Sequence, residues 1–151
     1  MQAPVKRKQH RTKAARGRDG SVDYATLARF RFELRQFQAF SEAAANRSGL
    51  TAQQHQALLA IRGFSNQEPA SIGDLAGYLL IRHHTAVELV GRMVKLKIVR
   101  RSLDPRDRRR VLIQLTREGE RRLGRLSRVH LQELRNMGPT LRKMLKLFSR
   151  V

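Results

Sequence analysis

The sequence has no cysteine, few acidic residues and no long apolar run. Without thiols the chain has no disulfides, no thiolate metal sites, no cysteine nucleophile and no thiol redox sensor. No apolar run approaches the ~20 residues that a membrane span requires. The basic N-terminus also lacks the apolar stretch of a secretory signal. We therefore expect a cytoplasmic protein that does not enter a membrane.

The charge is strongly one-sided. Lys and Arg number 32 and Asp and Glu only 12, which leaves a formal net charge of +20 on 151 residues. Such an excess favours polyanionic partners, nucleic acid first and an anionic membrane surface second. The length suits one domain with a true core.

The motifs of the common enzyme classes are missing. We find no Ser–His–acid pattern with a nucleophile elbow, no phosphate-cradling glycine loop and no HExxH motif. His83 and His84 are adjacent and so do not share a helix face, and no third ligand lies near them in sequence, which argues against a metal site. We expect neither an enzyme nor a cofactor.

Residues 1–20 are basic and almost devoid of bulky apolar side chains. Too little surface can be buried there to offset the entropy of ordering, so we interpret the segment as a flexible arm. The arm either adds phosphate contacts or is a solvated tail without a role, and the sequence favours neither. It lacks the apolar face of a membrane-surface helix.

Apolar periodicity predicts a mostly α protein with one small β-hairpin, in the order α-α-α-α-β-β-α-α. Capping-box residues Thr51 and Gln54, and later Ser71 and Asp74, mark two helix starts, and Thr116 marks a third. The Gly138-Pro139 pair predicts a break before the last helix. The predicted helices cover about 22–46, 51–63, a short segment from 71, 82–97, and two segments within 117–150; the strands cover 98–103 and 111–116.

Residues 71–116 carry the functional argument. A short helix, a tight turn and a longer helix form a helix-turn-helix unit, and an arginine-rich hairpin follows directly. An α-helix fits the DNA major groove, and a basic loop beside it reaches phosphates or the minor groove. The candidate DNA-binding residues are Ser71, Arg82, His83, His84, Thr85, Glu88, Arg92, Lys95, Arg106, Asp107, Arg108, Arg109 and Arg110.

Two alternatives stay open for Arg92 and Glu88. Arg92 pairs either with guanine or phosphate, or with Glu88 one helical turn earlier. Glu88 in turn accepts from cytosine or rejects other bases.

Four segments of this chain resemble the MarR family of winged-helix regulators. They are residues 50–59 (LTAQQHQALL), 71–80 (SIGDLAGYLL), 85–101 (TAVELVGRMVKLKIVRR) and 104–119 (DPRDRRRVLIQLTREG). With the flanking helices the resemblance covers about residues 22–151. The opening Arg82-His83-His84 departs from the serine-rich helix start common in the family.

The resemblance implies a single domain over 21–151, with a winged helix-turn-helix lobe at about 50–116 and dimerisation helices at about 22–46 and 117–150. It implies a homodimer on a pseudo-palindromic operator in double-stranded DNA, more commonly a repressor than an activator. It also implies that Arg109 enters the minor groove, held by Asp107. The alternative for this pair is an exposed ion pair without a role.

The resemblance also implies a pocket between the dimerisation helices and the DNA-binding lobe that takes a small phenolic or aromatic effector. The expected dimer contacts are the apolar seams of the outer helices, namely Leu27, Phe30, Leu34, Phe37, Leu141, Met144, Leu145 and Phe148. The rival function is a non-specific nucleic-acid-binding or nucleoid-associated protein, because charge alone does not separate it from a regulator.

Overall fold

The computed structural model describes residues 24–65 and 68–148, and within them it contains five helices and one small antiparallel sheet. The elements are α1 (Tyr24–Arg47), α2 (Ala52–Phe64), β1 (Ala70–Ser71), α3 (Ile72–Leu79), α4 (His83–Lys95), β2 (Val99–Leu103), β3 (Val111–Leu115) and α5 (Arg117–Phe148). The strand order in the sheet is β1-β3-β2, so the two-residue strand β1 joins the hairpin. The predicted mostly α fold with a β-hairpin is therefore confirmed.

The predicted basic arm over residues 1–20 lies outside the described residues and stays a prediction. Within the described ranges no helix is both long and apolar enough to cross a membrane.

The prediction of six helices was wrong, because the last two are one 32-residue helix that continues through Pro139. A proline inside a helix loses one backbone hydrogen bond and crowds the preceding turn, at a cost of about 3 kcal/mol. Met137 and Met144, on either side of it, are both buried. Burial of each such side chain contributes about 1.5–3 kcal/mol, so the two together offset the proline penalty.

Side-chain caps set the starts of α2 and α3 as predicted. Thr51 and Gln54 exchange hydrogen bonds between side chain and backbone, as do Ser71 and Asp74. Each pair satisfies two backbone groups that the first helical turn leaves without partners. The caps therefore fix where the two helices begin.

The core lies between α2, α3, α4 and the sheet. The apolar spacing of Ala86, Leu89, Val90, Met93 and Leu96 predicts one buried face on α4. The first four are buried, whereas Leu96 lies just past the helix end and is 40% exposed. The opposite face of α4 is exposed or half-buried. The largest fully buried side chains are Leu58, Leu75, Leu89, Val90, Met93, Ile98 and Ile113. This core holds α4 with its polar face outward.

The start of α5 rests on the turn that follows α4, a contact we call the α4–α5 joint (Lys97, Ile98, Thr116 and Gly119). The Thr116 hydroxyl donates to the Lys97 carbonyl oxygen at 2.6 Å, and the Thr116 N–H donates to the Ile98 carbonyl oxygen at 3.1 Å. The Gly119 N–H donates to the Thr116 hydroxyl, so Thr116 also caps α5 as predicted. A Cβ on Gly119 would lie 2.0 Å from the Ile98 oxygen, so this approach requires glycine. The joint connects the longest helix directly to the end of α4.

Candidate nucleic-acid interface

The outward face of α4 presents the predicted candidates to solvent. Arg82, His83 and His84 are exposed at the start of the helix, and Thr85 is half-buried. Arg82 occupies the N-cap position without a side-chain hydrogen bond to the helix backbone, so the first turn keeps unpaired N–H groups. The start of α4 thus offers backbone donors as well as basic side chains.

Further along α4, Glu88, Arg92 and Lys95 are also exposed. Arg92 Nη1 lies 4.0 Å from Glu88 Oε2, and both side chains are more than half exposed. An exposed pair one helical turn apart contributes only a few tenths of a kcal/mol, about 0.2–0.5. Both alternatives for Arg92 are therefore compatible with this geometry, since so weak a pair opens readily.

The wing loop, residues 104–110, is organised by a buried carboxylate. Asp104 accepts a hydrogen bond from the Arg106 N–H at 2.9 Å, and its own N–H donates to the Arg110 carbonyl oxygen at 3.0 Å. Its side chain is only 3% exposed and lies 3.4 Å from Arg110 Nη1. Asp104 therefore closes the base of the loop.

At the tip of the loop, Arg109 and Asp107 form the predicted pair. The Asp107 carboxylate accepts from the Arg109 backbone N–H at 3.0 Å and from Nε at 3.1 Å. These bonds, the side-chain bond first, hold the pKa of Asp107 below its usual range, so the carboxylate stays ionised. The Arg109 side chain is nonetheless 91% exposed. The guanidinium is oriented by the protein and faces solvent.

Arg110 has a different position from its neighbours. Its Nη2 lies 3.5 Å from Asp74 Oδ2 on α3, while its Nη1 faces Asp104. The pKa of Asp74 is lowered, first by the Ser71 backbone and hydroxyl hydrogen bonds and further by Arg110. Arg110 thus links the wing to α3 through two carboxylates.

Of the remaining DNA-binding candidates near the wing, two contact other residues of the protein and one forms no ion pair with the described residues. Ser71 is buried and its hydroxyl is engaged with Asp74, so its observed contacts are those of a helix cap. Arg106 donates to Glu68 at 2.6 Å, which raises the pKa of its guanidinium. Arg108 is exposed and forms no ion pair with the described residues.

Three carboxylates belong to this site although no sequence pattern assigned them to it: Asp104, Asp74 and Glu68. A local signal existed for Asp104, because an aspartate that accepts from the N–H two residues later is a common turn device. The contacts of Asp74 with Arg110, and of Glu68 with Arg106, join residues far apart in the chain. No local pattern could have identified them.

The predicted dimer contacts lie on α1 and α5. Leu27, Leu34 and Leu145 are exposed, and Phe30, Phe37 and Leu141 are half-buried. Met144 is already buried within the single chain. The side chain of Phe148 lies outside the described part of the structure. In the described ranges no group of three or more His, Asp or Glu side chains could hold a metal ion.

The helix-turn-helix unit and the wing are also the part of the chain that known sequences match. The family model described as MarR family matches residues 48–110. An uncharacterized HTH-type transcriptional regulator of Bacillus subtilis, YsmB, is 39% identical over 67 residues, which are 44% of this chain and 46% of the relative. The match thus spans about half the length of the curated relative.

Solved structures extend the similarity to most of this chain. MepR, a transcription regulator of the Staphylococcus aureus multidrug efflux pump MepA, matches with a TM-score of 0.68 and 20% identity over 84% of this chain and 99% of MepR. A complex of S. aureus MepR with DNA matches with a TM-score of 0.59 and 19% identity over 83% of this chain and 98% of that one. At such identities the likeness shows the shared fold.

Proposed function

We propose that this chain is a MarR-type transcription regulator that binds a specific double-stranded DNA site as a homodimer. The observation that carries the proposal is Arg109, a side chain 91% exposed yet held in place by Asp107 at the tip of the wing. An arginine oriented before binding loses less conformational freedom on contact with DNA. An exposed guanidinium held in this way is suited to a narrow, electronegative minor groove.

The two parts of the interface take different roles. The polar face of α4 enters the major groove, where base edges differ in donor and acceptor pattern. Arg109 has five N–H donors, and Asp107 engages only the Nε and one Nη2 donor. The remaining donors are available to DNA. Arg108 adds a phosphate contact.

The dimer rests on apolar surface that the single chain leaves exposed. Leu27 on α1 and Leu145 on α5 are each more than 40% exposed. Leu34, Leu131 and Leu134, also at least 40% exposed, continue this surface and line the cavity between α1, α2 and α5. Apolar side chains grouped on two packed helices favour a partner that covers them. A second copy of the chain, related by two-fold symmetry, covers this surface and presents two α4 helices to the two halves of a pseudo-palindromic operator.

Regulation follows from the position of a cavity of about 750 Å³ between α1, α5 and α2. A small phenolic or aromatic effector that binds there changes how α2, and with it the DNA-binding lobe, sits on the dimerisation helices. The spacing of the two α4 helices then no longer fits the operator. We propose repression, relieved by the effector.

Selection of bound sequences from random duplex DNA with the full chain tests specificity. We expect recovery of an inverted repeat, bound at least ~10³-fold more tightly than bulk DNA at physiological salt. Recovery of no common sequence, with tight salt-sensitive binding to any duplex, would favour a non-specific nucleic-acid-binding or nucleoid-associated protein.

Arg109→Ala tests the wing. We expect operator affinity to fall about tenfold to a hundredfold, which corresponds to the ~1–3 kcal/mol of one groove contact. The melting temperature should barely change, because an exposed ion pair contributes about 0–1 kcal/mol. Arg135→Ala, which removes one exposed charge from α5, is the matched control. Equal operator affinity of Arg109→Ala and the unaltered chain would refute the role of the wing arginine.

A further inference from the structure

The side of α5 that points away from α1 carries a row of arginines. Residues three or four positions apart share one face of a helix. The four arginines with this spacing are all exposed, and we call them the α5 arginine face: Arg117, Arg121, Arg125 and Arg128. His130, which bonds to Ser41 of α1, lies on the opposite side of the helix. At about 1.5 Å per residue the row is roughly 17 Å long.

The carboxylates at the start of α5 neutralise little of this charge. Glu118 accepts from Arg121 Nη2 and from Arg122 Nε at 2.6 Å each, and Glu120 lies 3.3 Å from Arg62 on α2. The hydrogen bonds from Arg122 and then from Arg121 lower the pKa of Glu118, so one ionised carboxylate is shared between two guanidinium groups. Both carboxylates are therefore already engaged.

The other three members of the face have no such partner. The guanidinium groups of Arg117, Arg125 and Arg128 form no ion pair or hydrogen bond with the part of the chain that the structure describes. Like charges one helical turn apart repel, and Arg117 also stands at the positive end of the helix dipole. A helix face that is only solvated commonly mixes both signs of charge. A row of one sign therefore favours a polyanion outside the chain.

The end of α1 adds a further cation beside this face. Arg47 is exposed, and with Arg125 it lines a cleft of about 360 Å³. The rest of the cleft is formed by Ser48 and by apolar side chains of α1 and α5, and no carboxylate belongs to its described lining. The positive surface is thus built from two helices.

A second copy of the chain is a poor occupant of this surface. A two-fold contact through it would place two like-charged faces against each other. The exposed leucines of α5, which favour self-association, begin only beyond the arginine face, at Leu131. The contact that the leucines favour therefore does not need the arginine face.

We propose that the α5 arginine face binds phosphates of the duplex DNA that flanks the operator, independently of its sequence. The inference rests on the proposed function, because operator binding brings the flank to the protein. The α4–α5 joint fixes the first turn of α5 to the end of α4, so the face begins at the DNA-binding lobe. Guanidinium groups bind phosphate through strong, charge-assisted hydrogen bonds. A flank joined to a bound operator has a far higher effective concentration than a separate duplex, so the flank binds first.

Binding of the full chain to two duplexes tests the proposal. One duplex holds the inverted repeat from the random-duplex selection and ends at its borders. The other extends the same repeat by about two helical turns of arbitrary sequence on each side. We expect the flanked duplex to bind on the order of tenfold more tightly at about 50 mM salt, with a salt dependence steeper by about three ions.

A pair of double variants isolates the face. Arg125→Gln with Arg128→Gln removes two of its charges, and Arg135→Gln with Arg142→Gln removes two exposed charges further along α5. Arginine and glutamine have similar helix propensities, so both variants should fold. The first should lose most of the gain from the flank and reduce the salt dependence by about two ions, whereas the second should keep both. The two variants should bind the short duplex alike.

Three results would overturn the inference. They are equal affinity for the short and the flanked duplex, an equal loss of the flank gain in the two variants, and capture of a second duplex in place of the flank. Failure of the proposed function is a different result, in which the selection recovers no inverted repeat. The salt dependence of binding to bulk duplex then decides whether the face binds phosphates, because only Arg125→Gln with Arg128→Gln should lower it by about two ions, and an unchanged slope would refute the contact.

Discussion

Gly119→Ala is the change for which the structure makes the sharpest prediction. The new Cβ would lie 2.0 Å from the Ile98 carbonyl oxygen and 3.1 Å from its carbonyl carbon. Carbon–oxygen contacts are ordinarily about 3.3 Å or longer. Both close atoms belong to the backbone, so no side-chain rotation relieves the clash. The first turn of α5 must move away from the end of α4 by roughly 1 Å.

The cost follows from what that movement breaks. The Ile98 oxygen loses the Thr116 N–H, and an unsatisfied buried group costs about 1–3 kcal/mol. Residual overpacking adds about 1–3 kcal/mol, and alanine returns about 1 kcal/mol of helix propensity. We expect a net loss of about 1–5 kcal/mol in the free energy of unfolding, or roughly 3–20 °C in melting temperature.

Gly124→Ala supplies the matched control on the same helix. A Cβ at Gly124 meets no atom within 4 Å, so this variant should gain about 0.5–1 kcal/mol. Urea unfolding followed by circular dichroism, at one fixed protein concentration, measures both variants. The reasoning is wrong if Gly119→Ala proves as stable as Gly124→Ala. The operator affinity of Gly119→Ala should also fall, because the joint positions α4.

Three further results are expected. Arg110→Gln should lower the free energy of unfolding by about 1–2 kcal/mol, because the buried Asp104 carboxylate loses the closer of its two guanidinium partners and keeps only Arg106 Nε at 3.9 Å. Arg108→Gln should leave stability unchanged and reduce the salt dependence of DNA binding by about one ion. Equal stability of the two variants would contradict the anchoring role of Arg110. Ser71→Ala should cost about 1 kcal/mol through loss of the α3 cap, measured by the same urea titration, and an unchanged midpoint would exclude that role. The pKa of His55 is lowered from 6.5 to about 4 in the folded chain, so below pH 6.5 the unfolded state alone takes up its proton. Stability is therefore full above pH 6.5 and falls by about 1.4 kcal/mol per pH unit as the pH drops toward 4. His55→Leu should lose less stability across this window, and parallel curves for the two proteins would count against the lowered pKa.

Much of the fold could be predicted from short-range patterns. The buried face of α4 follows from apolar residues spaced at helical intervals, and the capping boxes join residues three positions apart. The pairing of Arg109 with Asp107 spans two positions within one turn. In each case the residues that interact are close in sequence, so the local backbone geometry leaves few other partners for them.

The predicted helix break and the undifferentiated wing arginines failed for one physical reason, which is that contacts between distant residues decide both. The Gly138-Pro139 pair predicts a break by local propensity, and packing around Met137 and Met144 overrides it. Arg106, Arg108, Arg109 and Arg110 look alike in sequence. Their different positions depend on Asp74 and Glu68, which the fold brings to the wing from distant segments.

The sequence by itself determined that the chain is a basic, mostly helical protein with a helix-turn-helix unit and an arginine-bearing wing. Charge and short-range periodicity carry that information, and neither depends on how the helices pack. Only the tertiary structure decided which wing arginines pair with carboxylates from distant segments, that α5 continues through its proline, and that His55 meets His130 beside an apolar cavity. These outcomes depend on contacts between residues far apart in the chain, which exist only once the helices have packed.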